Sequence, residues 1–342
     1  MSRSAVSYAA DSSTRIRHVL ADAWQSVSRR PEAPSAAFLL VLVVVLSIAT
    51  PGFLSAANLR GIVEQVAVVS IVALAVNQVI LAGEIDVSTG SVVAVCAFVY
   101  GNIAEMSGGS LVPFLGALAT GLLLGLINGV VSTYGRVPSI ITTLGALFVY
   151  RGLVLLLAGA QVLNLAADSR GFGQGSLLAI PVAIPVAIVV LIGLCLAMDI
   201  LARHTTLGRN VYAVGGNPRA ARMIGLPVSL VRTATFALTG LCCGLAASVM
   251  IGQIGQLQAT AATGLELKVV AAVVLGGTSI AGGKGSTFAP VIGALLVGVI
   301  LNAMTLNRVP GTFELLVLGA LILLAVSVEG IRSRLRERRP TE

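Results

Sequence analysis

The chain has 342 residues, of which 56% are hydrophobic and only 11% are charged, and its formal net charge is +8. A soluble domain has about 25% charged residues, whereas the mean hydropathy here is +0.98. This composition excludes a soluble protein and indicates one that lies in a lipid bilayer. The four cysteines lack metal-site spacing, and no catalytic cluster is found. We therefore expect no enzyme activity, no metal and no bound cofactor in this chain.

Many of the basic residues lie in three segments beside the hydrophobic runs. These are the N-terminal tail 1–35, an internal loop at 203–232 and the C-terminal tail 329–342. Cytoplasmic segments of membrane proteins are rich in arginine and lysine. We therefore expect all three segments to be cytoplasmic, with the lipid bilayer as their neighbour. Aromatic residues are not interleaved with these arginines, which argues against nucleic acid as a partner.

Ten hydrophobic runs alternate with polar segments along the chain. A transmembrane helix needs about 20 mostly apolar residues, so we predict an all-α polytopic fold with a transmembrane domain over 36–328. The runs lie at 36–54, 62–82, 87–106, 111–134, 138–158, 180–201, 231–252, 267–281, 288–304 and 312–328. Six runs before the internal loop and four after it place both termini on the same side as the loop. The eighth and ninth runs are short, and the alternative is eight spans plus two half-helices.

Glycines recur every four residues in two of the predicted helices. Gly121, Gly125 and Gly129 share one helix face, and Gly240 and Gly244 repeat the spacing. Small residues at this spacing let helix backbones approach closely in a bilayer, where no hydrophobic effect drives association. We predict that these two faces are sites of helix packing.

A polar segment at 83–91 separates two hydrophobic runs. Asp86 or Ser88 can cap the following helix by accepting its free N–H groups, and the flanking glycines allow the chain to leave the helical conformation. Transporters use such interruptions to line a polar path, but a plain turn with a good cap explains the segment equally well. Glu84 and Asp86 lack basic partners here and are also candidates for a proton relay.

Arg151 lies well inside the fifth hydrophobic run. An unpaired charge at that depth is costly. The side chain must therefore extend to the membrane interface, pair with a carboxylate or face a water-filled cavity. Extension to the interface is the interpretation that the sequence favours.

The cytoplasmic loop 203–230 contains a short helix, predicted over 217–225, whose two ends are both specified. Asn217 is a good N-cap, Pro218 suits the first helical position, and Gly225 suits the C-terminal stop. Two helical turns alone are marginal in water, which indicates that this helix docks onto another molecule. The alternative is a helix that rests on lipid headgroups through Arg219 and Arg222.

The segment 276–286 has the composition of a phosphate-binding loop but not its pattern. In GxxxxGK[ST], Thr278 stands in place of the first glycine, and Gly285 stands in place of the hydroxyl residue. An apolar run rather than a strand precedes the segment. We predict a tight break between two short helices and no ATP site.

Five segments, in this order, resemble the permeases of ribose-type ABC importers, which handle pentoses, hexoses and related small polyols. They are Pro51 to Leu59, Gly83 to Ser91, Gly125 to Gly152, Tyr212 to Gly225 and Glu266 to Ser286. The chain departs from the family pattern at Glu84, Thr89 and Arg219, which leaves the family assignment intact but affects substrate and partner details.

The resemblance implies a multi-pass permease subunit in the inner membrane of a bacterium. Such a permease pairs with a second copy or a paralogue, contacts cytoplasmic ATPase subunits that bind ATP and Mg²⁺, and receives substrate from an extracytoplasmic binding protein. The short helix then becomes the ATPase-coupling helix. The residues assigned to coupling are Gly215, Gly216, Asn217, Pro218, Arg219, Ala220, Ala221, Arg222 and Gly225.

Polar residues within the predicted spans, and those of the segment 83–91 beside them, are the candidates for the translocation path. They are Asn77, Gln78, Glu84, Asp86, Ser88, Asn128, Thr142, Thr143, Arg151 and Asn302. Two alternative functions remain open. One is the related branched-chain amino-acid type of ABC permease, and the other is a secondary transporter in which Glu84, Asp86 and Arg151 respond to an ion gradient.

Overall fold

A computed structural model describes residues 32–107, 109–159, 162–171 and 186–337. Within these ranges the fold is all-α, as predicted, apart from one antiparallel pair of two-residue strands, β1 (Leu163–Asn164) and β2 (Gln256–Leu257). The helices are α1 (Ala33–Ala49), α2 (Ala56–Leu81), α3 (Thr89–Ser107), α4 (Leu111–Thr133), α5 (Ser139–Ala158), α6 (Val186–His204), α7 (Thr206–Gly216), α8 (Pro218–Met223), α9 (Val228–Ile254), α10 (Leu265–Leu275), α11 (Ala289–Leu306) and α12 (Phe313–Glu337).

Each of the ten predicted spans overlaps one of these helices, and α7 and α8 lie in the predicted loop. Most of the predicted N-terminal tail and the first residues of the sixth predicted span, 180–185, fall outside the described residues. Residues 338–342 of the C-terminal tail do so as well. Helix α12 continues past the predicted end of its span at residue 328.

Seven described helices are long and apolar enough to cross a membrane: α2, α3, α4, α5, α6, α9 and α11. Two further apolar helices are shorter, α1 and the stretch Phe313–Ser327 of α12. Helix α10 has 11 residues, so it rises only about 16 Å and is too short to span a hydrocarbon core of about 30 Å. Of the two short runs, only the eighth is therefore a half-helix, because α11 has 18 residues.

Helices α2, α3 and α9 form the centre of the bundle. Between 67% and 72% of their most apolar stretches is buried, against 17% for α5 and α6. Large apolar side chains on the outer helices point away from the core, including Phe148 and Leu156 on α5. The outer helices therefore present apolar surface to lipid or to another membrane chain.

The two glycine faces predicted from the sequence pack against each other. A Cβ placed on Gly121 would lie 2.1 Å from the carbonyl oxygen of Gly240, and one placed on Gly240 would lie 2.0 Å from that of Gly121. Gly125 and Gly244 make similarly close backbone contacts with the opposite helix. The prediction of helix packing is confirmed, because only glycine allows α4 and α9 to approach this closely.

The bundle has two distinguishable ends. At one end, which we call the α7–α8 end, helix α2 terminates at Leu81 beside Gly215 of α7 and Gly283. At the other end β1 pairs with β2, and the hydroxyl of Tyr100 donates to the carbonyl of Ser169 at 2.7 Å. The α7–α8 end carries the loop that the sequence predicts to be cytoplasmic.

Candidate functional site

Two breaks in the helices bring polar groups into the bundle. The first interruption, residues 82–88, separates α2 from α3, and the second interruption, residues 276–288, separates α10 from α11. Glycine makes both breaks possible, since Gly83 has φ +79° and Gly277, Gly282 and Gly283 have φ +101°, +86° and +70°. Other residues rarely adopt these angles. The predicted break at 276–286 is confirmed.

A buried hydrogen-bond network extends from the first interruption into α4 and α5. Oδ1 of Asp86 accepts from the backbone N–H of Ser88 at 2.9 Å and from its hydroxyl at 2.7 Å. The amide of Asn128 donates to the Ser88 hydroxyl at 2.8 Å, and the hydroxyl of Tyr150 donates to Asn128 Oδ1 at 3.0 Å. Asp86 therefore holds a turn just before α3 and accepts no N–H group of that helix itself. It belongs to a network that joins the first interruption to α4 and α5.

Two hydroxyl residues of α5 hold the backbone of the same segment. The N–H of Ile85 donates to Ser139 Oγ at 3.1 Å, and that of Val87 donates to Thr143 Oγ1 at 3.3 Å. Thr142, the neighbour of Thr143, has a buried hydroxyl without a hydrogen-bond partner among the described residues. Of these adjacent path candidates, Thr143 therefore positions the interruption, while Thr142 is free to bind another group.

Asn77 connects α2 to the second interruption. The hydroxyl of Thr278 donates to Asn77 Oδ1 at 2.6 Å, and the Asn77 amide donates to the carbonyl of Ser286 at 3.2 Å. The next residue, Gln78, is fully buried, and neither of its amide atoms has a partner in the described part of the chain. Buried polar groups are nearly always hydrogen-bonded, so Gln78 marks a place where a bound polar group would be stabilised.

The expectation that Glu84 lacks a basic partner is wrong. Its Oε1 lies 2.6 Å from Nη1 of Arg232, in the first turns of α9, and both side chains are largely buried. The pairing joins residues from distant parts of the chain, so sequence spacing gives no sign of it. Asp86, by contrast, forms no ion pair with any described residue.

Arg151 reaches backbone carbonyls rather than a carboxylate. Its Nη1 donates to Ala261 O at 2.7 Å and to Ala259 O at 3.5 Å, in the segment between β2 and α10. That segment lies against the start of α3, because a Cβ on Gly90 would be 2.8 Å from Ala262 O. Carbonyl oxygens are a usual partner for an arginine within a membrane segment, and the three arrangements drawn from the sequence did not include them.

Asn302 is remote from both interruptions. Its amide donates to Asn58 Oδ1 at 2.7 Å. Asn58 and Asn77 both lie on α2, where the helix rise separates them by roughly 28 Å. The structure therefore does not group Asn302 with the other path candidates.

Helix α8 has both of the ends that the sequence specifies. The Asn217 side chain accepts from the N–H groups of Arg219 and Ala220 at 3.1 and 3.0 Å. At the other end Gly225 has φ +84°, and the N–H of Leu226 donates to Ala221 O at 3.0 Å, which is the hydrogen bond of a Schellman cap. The predicted short helix is confirmed, with Pro218 at its first position.

The outer surface of α8 combines charge with apolar area. Arg219 and Arg222 are exposed, and Met223 and Ile224 are 89% and 75% exposed. The opposite side is anchored, because Ala221 is buried in a small cluster with residues of α7 and α9. The helix is thus held by the protein on one side and presents two guanidinium groups and an apolar tip on the other.

Helix α7 precedes this element and was not predicted. Thr205 caps it by accepting from Gly208 N at 3.2 Å. Burial raises the pKa of Tyr212, so its hydroxyl stays protonated and donates to Gly285 O at 3.3 Å. Sequence reasoning missed the contacts of Tyr150, Tyr212 and Arg232 because the partner of each lies in a different helix or interruption.

The chemistry of these groups is that of binding and positioning. Hydroxyls, amides and the carboxylates of Glu84 and Asp86 lie in or beside the interruptions. In the described ranges, no three His, Cys, Asp or Glu residues are close enough to hold a metal ion. Together with the apolar bundle and the exposed α8, these features define a polytopic membrane transport protein.

The chain belongs to a known family of membrane permeases. Residues 58–326 match the family described as the permease component of the branched-chain amino acid transport system. No solved structure matches significantly.

Curated relatives cover most of the chain. It is 37% identical to the ribose import permease protein RbsC of Escherichia coli (strain K12), over 87% of this chain and 93% of that protein. It is 32% identical to the L-arabinose ABC transporter permease protein AraH of Azospirillum brasilense, over 92% and 91% of the two chains. It is 34% identical to the autoinducer 2 import system permease protein LsrC of Yersinia pseudotuberculosis (strain YPIII), over 85% and 82%. The resemblance drawn from the sequence is confirmed.

Proposed function

We propose that the chain is the membrane-spanning subunit of an ABC importer that carries a sugar or related small polyol across the inner membrane of a bacterium. The relatives' names, which include a ribose import permease and an L-arabinose ABC transporter permease, support this substrate class. ATP and Mg²⁺ are bound by separate cytoplasmic ATPase subunits. This chain supplies the path and the surface that receives the ATPase movement.

The observation that carries the proposal is the exposed, doubly capped helix α8. Two helical turns have little stability of their own, yet α8 is fixed by Asn217 at one end and Gly225 at the other. Its free surface offers an apolar tip, Met223 and Ile224, beside two guanidinium groups. Such a surface suits a cleft with an apolar floor and an acidic rim on a protein partner.

The two interruptions supply polar groups for the translocation path. Sugar hydroxyls both donate and accept, and they suit the carboxylate, hydroxyls and amides of Asp86, Ser88 and Asn128. The unpartnered buried groups of Gln78 and Thr142 add two further sites for a hydroxyl. ATP-driven movement would expose these groups to each side of the membrane in turn. This requires that ATP bind with different affinity to the two states of the assembly.

The hydrogen-bond network favours a neutral polyol over a zwitterionic amino acid. A free amino acid carries a carboxylate that needs a cation or a set of N–H donors. The network around Asp86 contains no arginine or lysine among the described residues, and Arg232 is already paired with Glu84. For this reason we place the branched-chain amino-acid alternative second.

Two further partners have surfaces available to them on this chain. The apolar faces of α5 and α6 are available to a second copy of the chain or to a paralogue within the membrane. The end opposite α7 and α8 would receive the substrate-binding protein. Both partners are proposed by analogy with importers of this class.

Charge reversal on α8 tests the proposal. We expect the double variant Arg219→Glu/Arg222→Glu to lose ATPase subunits on purification and to lose D-ribose uptake, each by at least about tenfold, because disrupting one buried charge pair costs about 2 kcal/mol or more. The control Arg136→Glu/Arg308→Glu makes the same charge change at exposed arginines outside α8. Retention of the ATPase by the α8 double variant would instead support a helix that rests on lipid headgroups.

A further inference from the structure

Three glycine-containing segments meet at the α7–α8 end of the bundle. They are residues 81–84, from the end of α2 into the first interruption, 215–216 at the end of α7, and 282–285 in the second interruption. The N–H of Gly283 donates to Leu81 O at 2.9 Å. The two helix interruptions therefore touch each other and α7 at one point.

The contacts at this point are made by backbone atoms. A Cβ on Gly215 would lie 1.7 Å from Leu81 O, one on Gly282 would lie 3.0 Å from the Cα of Gly83, and one on Gly283 would lie 2.6 Å from the Cα of Gly216. No side chain stands between the segments, so no rotamer change can absorb a displacement. A movement of one backbone must move the others, since packed interiors have little free volume.

Two side-chain contacts add to these backbone contacts. The Glu84–Arg232 ion pair, at 2.6 Å, joins the first interruption to the start of α9. The Tyr212 hydroxyl joins α7 to the carbonyl of Gly285 in the second interruption at 3.3 Å. Each interruption is thus tied by a side chain as well as by backbone to the helices on either side of α8.

We propose that residues 81–84, 215–216 and 282–285 form a coupling junction that passes any displacement of α7 and α8 to both interruptions together. This inference rests on the proposed function, in which α8 receives movement from an ATPase. The first interruption carries the Asp86–Ser88–Asn128 network, and the second carries Thr278, the partner of Asn77. The junction therefore moves both sets of polar groups in one step.

A methyl group at the junction tests this. The full complex, purified and reconstituted with its ATPase and binding protein, is assayed for D-ribose transported per ATP hydrolysed. The structure places Gly215 in α7, buried and outside the exposed surface of α8. We therefore expect Gly215→Ala to assemble with the ATPase and hydrolyse ATP, but to lower this ratio at least about fivefold, the low end of typical coupling effects. The control is Gly193→Ala in α6, where a Cβ meets nothing within 4 Å. A ratio for Gly215→Ala equal to that of the control overturns the junction.

A milder variant decides the matter if Gly215→Ala is not inserted into the membrane. Tyr212→Phe removes one hydroxyl and leaves the backbone contacts in place, and Tyr134→Phe does the same at an exposed tyrosine. A lower transport ratio for Tyr212→Phe alone supports the junction, and equal ratios for the two variants contradict it. If the wild-type chain neither retains an ATPase nor transports, the proposed function fails instead, so the two failures are distinguishable.

Discussion

The carboxylate of Glu84 and the guanidinium of Arg232 form an ion pair, 2.6 Å apart, between the first interruption and the start of α9. The side chains are only 13% and 22% exposed, so either charge alone would be costly in this position. The pair removes Glu84 from the set of free carboxylates that a proton relay needs. It also joins a helix break inside the bundle to the helix that follows α8.

We predict that neutralising one member of this pair lowers both stability and transport. Glu84→Gln or Arg232→Gln should cost on the order of 2 kcal/mol, because the remaining charge is left without its partner. The reversed pair Glu84→Arg/Arg232→Glu should recover part of the loss. Thermal unfolding of the purified complex and D-ribose uptake measure the two effects.

The more exposed pair Arg60–Glu64 on α2 provides the control, because its N–O distance of 2.7 Å is similar. Glu64→Gln should cost no more than about 0.5 kcal/mol. The losses of stability and uptake in Glu84→Arg/Arg232→Glu are compared with the summed losses of Glu84→Arg and Arg232→Glu. If the two are equal, the pairing itself is unimportant.

We predict that Asn128 is the central member of the buried network. Asn128→Ala leaves the Tyr150 hydroxyl without its acceptor and takes one donor from the Ser88 hydroxyl, which keeps its bond to Asp86. It should cost about 1–3 kcal/mol, with a raised KM for D-ribose. Tyr150→Phe removes one hydrogen bond and should cost about 1 kcal/mol. Asn102→Ala in α3, whose amide donates to Phe98 O in the same helix, is the control. An unchanged KM in Asn128→Ala would exclude Asn128 from the path.

We predict that the α4–α9 interface does not accept a methyl group. Gly240→Ala places its Cβ 2.0 Å from Gly121 O, so the two helices must separate along the whole contact. The expected result is a melting temperature several degrees below that of the wild type in detergent, with less protein inserted. Gly145→Ala on α5, where a Cβ meets nothing within 4 Å, should behave as wild type. Equal stability of the two variants would contradict the packing described here.

We predict that the N-cap of α8 matters for ATPase binding. Asn217→Ala should cost about 1 kcal/mol of helix stability, which corresponds to roughly a fivefold loss of ATPase retained on a tagged chain. Asn217→Ser keeps a capping oxygen and should retain most of it. If the alanine and serine variants bind equally well, the cap has no part in docking.

The parts of the structure that the sequence predicted well are those specified by neighbouring residues. The caps of α8 and the glycine spacing of α4 and α9 are local signals with a direct physical meaning. The half-helix α10 was predicted too long because Gly276 and Gly277 end it early: Gly276 packs against Ala289 O, and Gly277 has φ +101°.

Other features depend on tertiary contacts. Helix α7 contains three glycines in 11 residues, each of which disfavours a helix by about 1 kcal/mol. It forms because Gly208 and Gly215 pack on the backbones of α6 and α2. The partners of Glu84, Asn128 and Arg151 were unpredictable for the same reason, since each is brought near by the fold and not by spacing along the chain.

Uptake into proteoliposomes tests most directly whether ATP hydrolysis by a partner drives transport through this chain. The chain is reconstituted with its ATPase and binding protein or alone, and D-ribose uptake is followed with ATP or with a proton gradient. We predict uptake only when the ATPase and ATP are both present, and no effect of a protonophore. Uptake by the chain alone that collapses with a protonophore would contradict the account and identify an ion-coupled transporter.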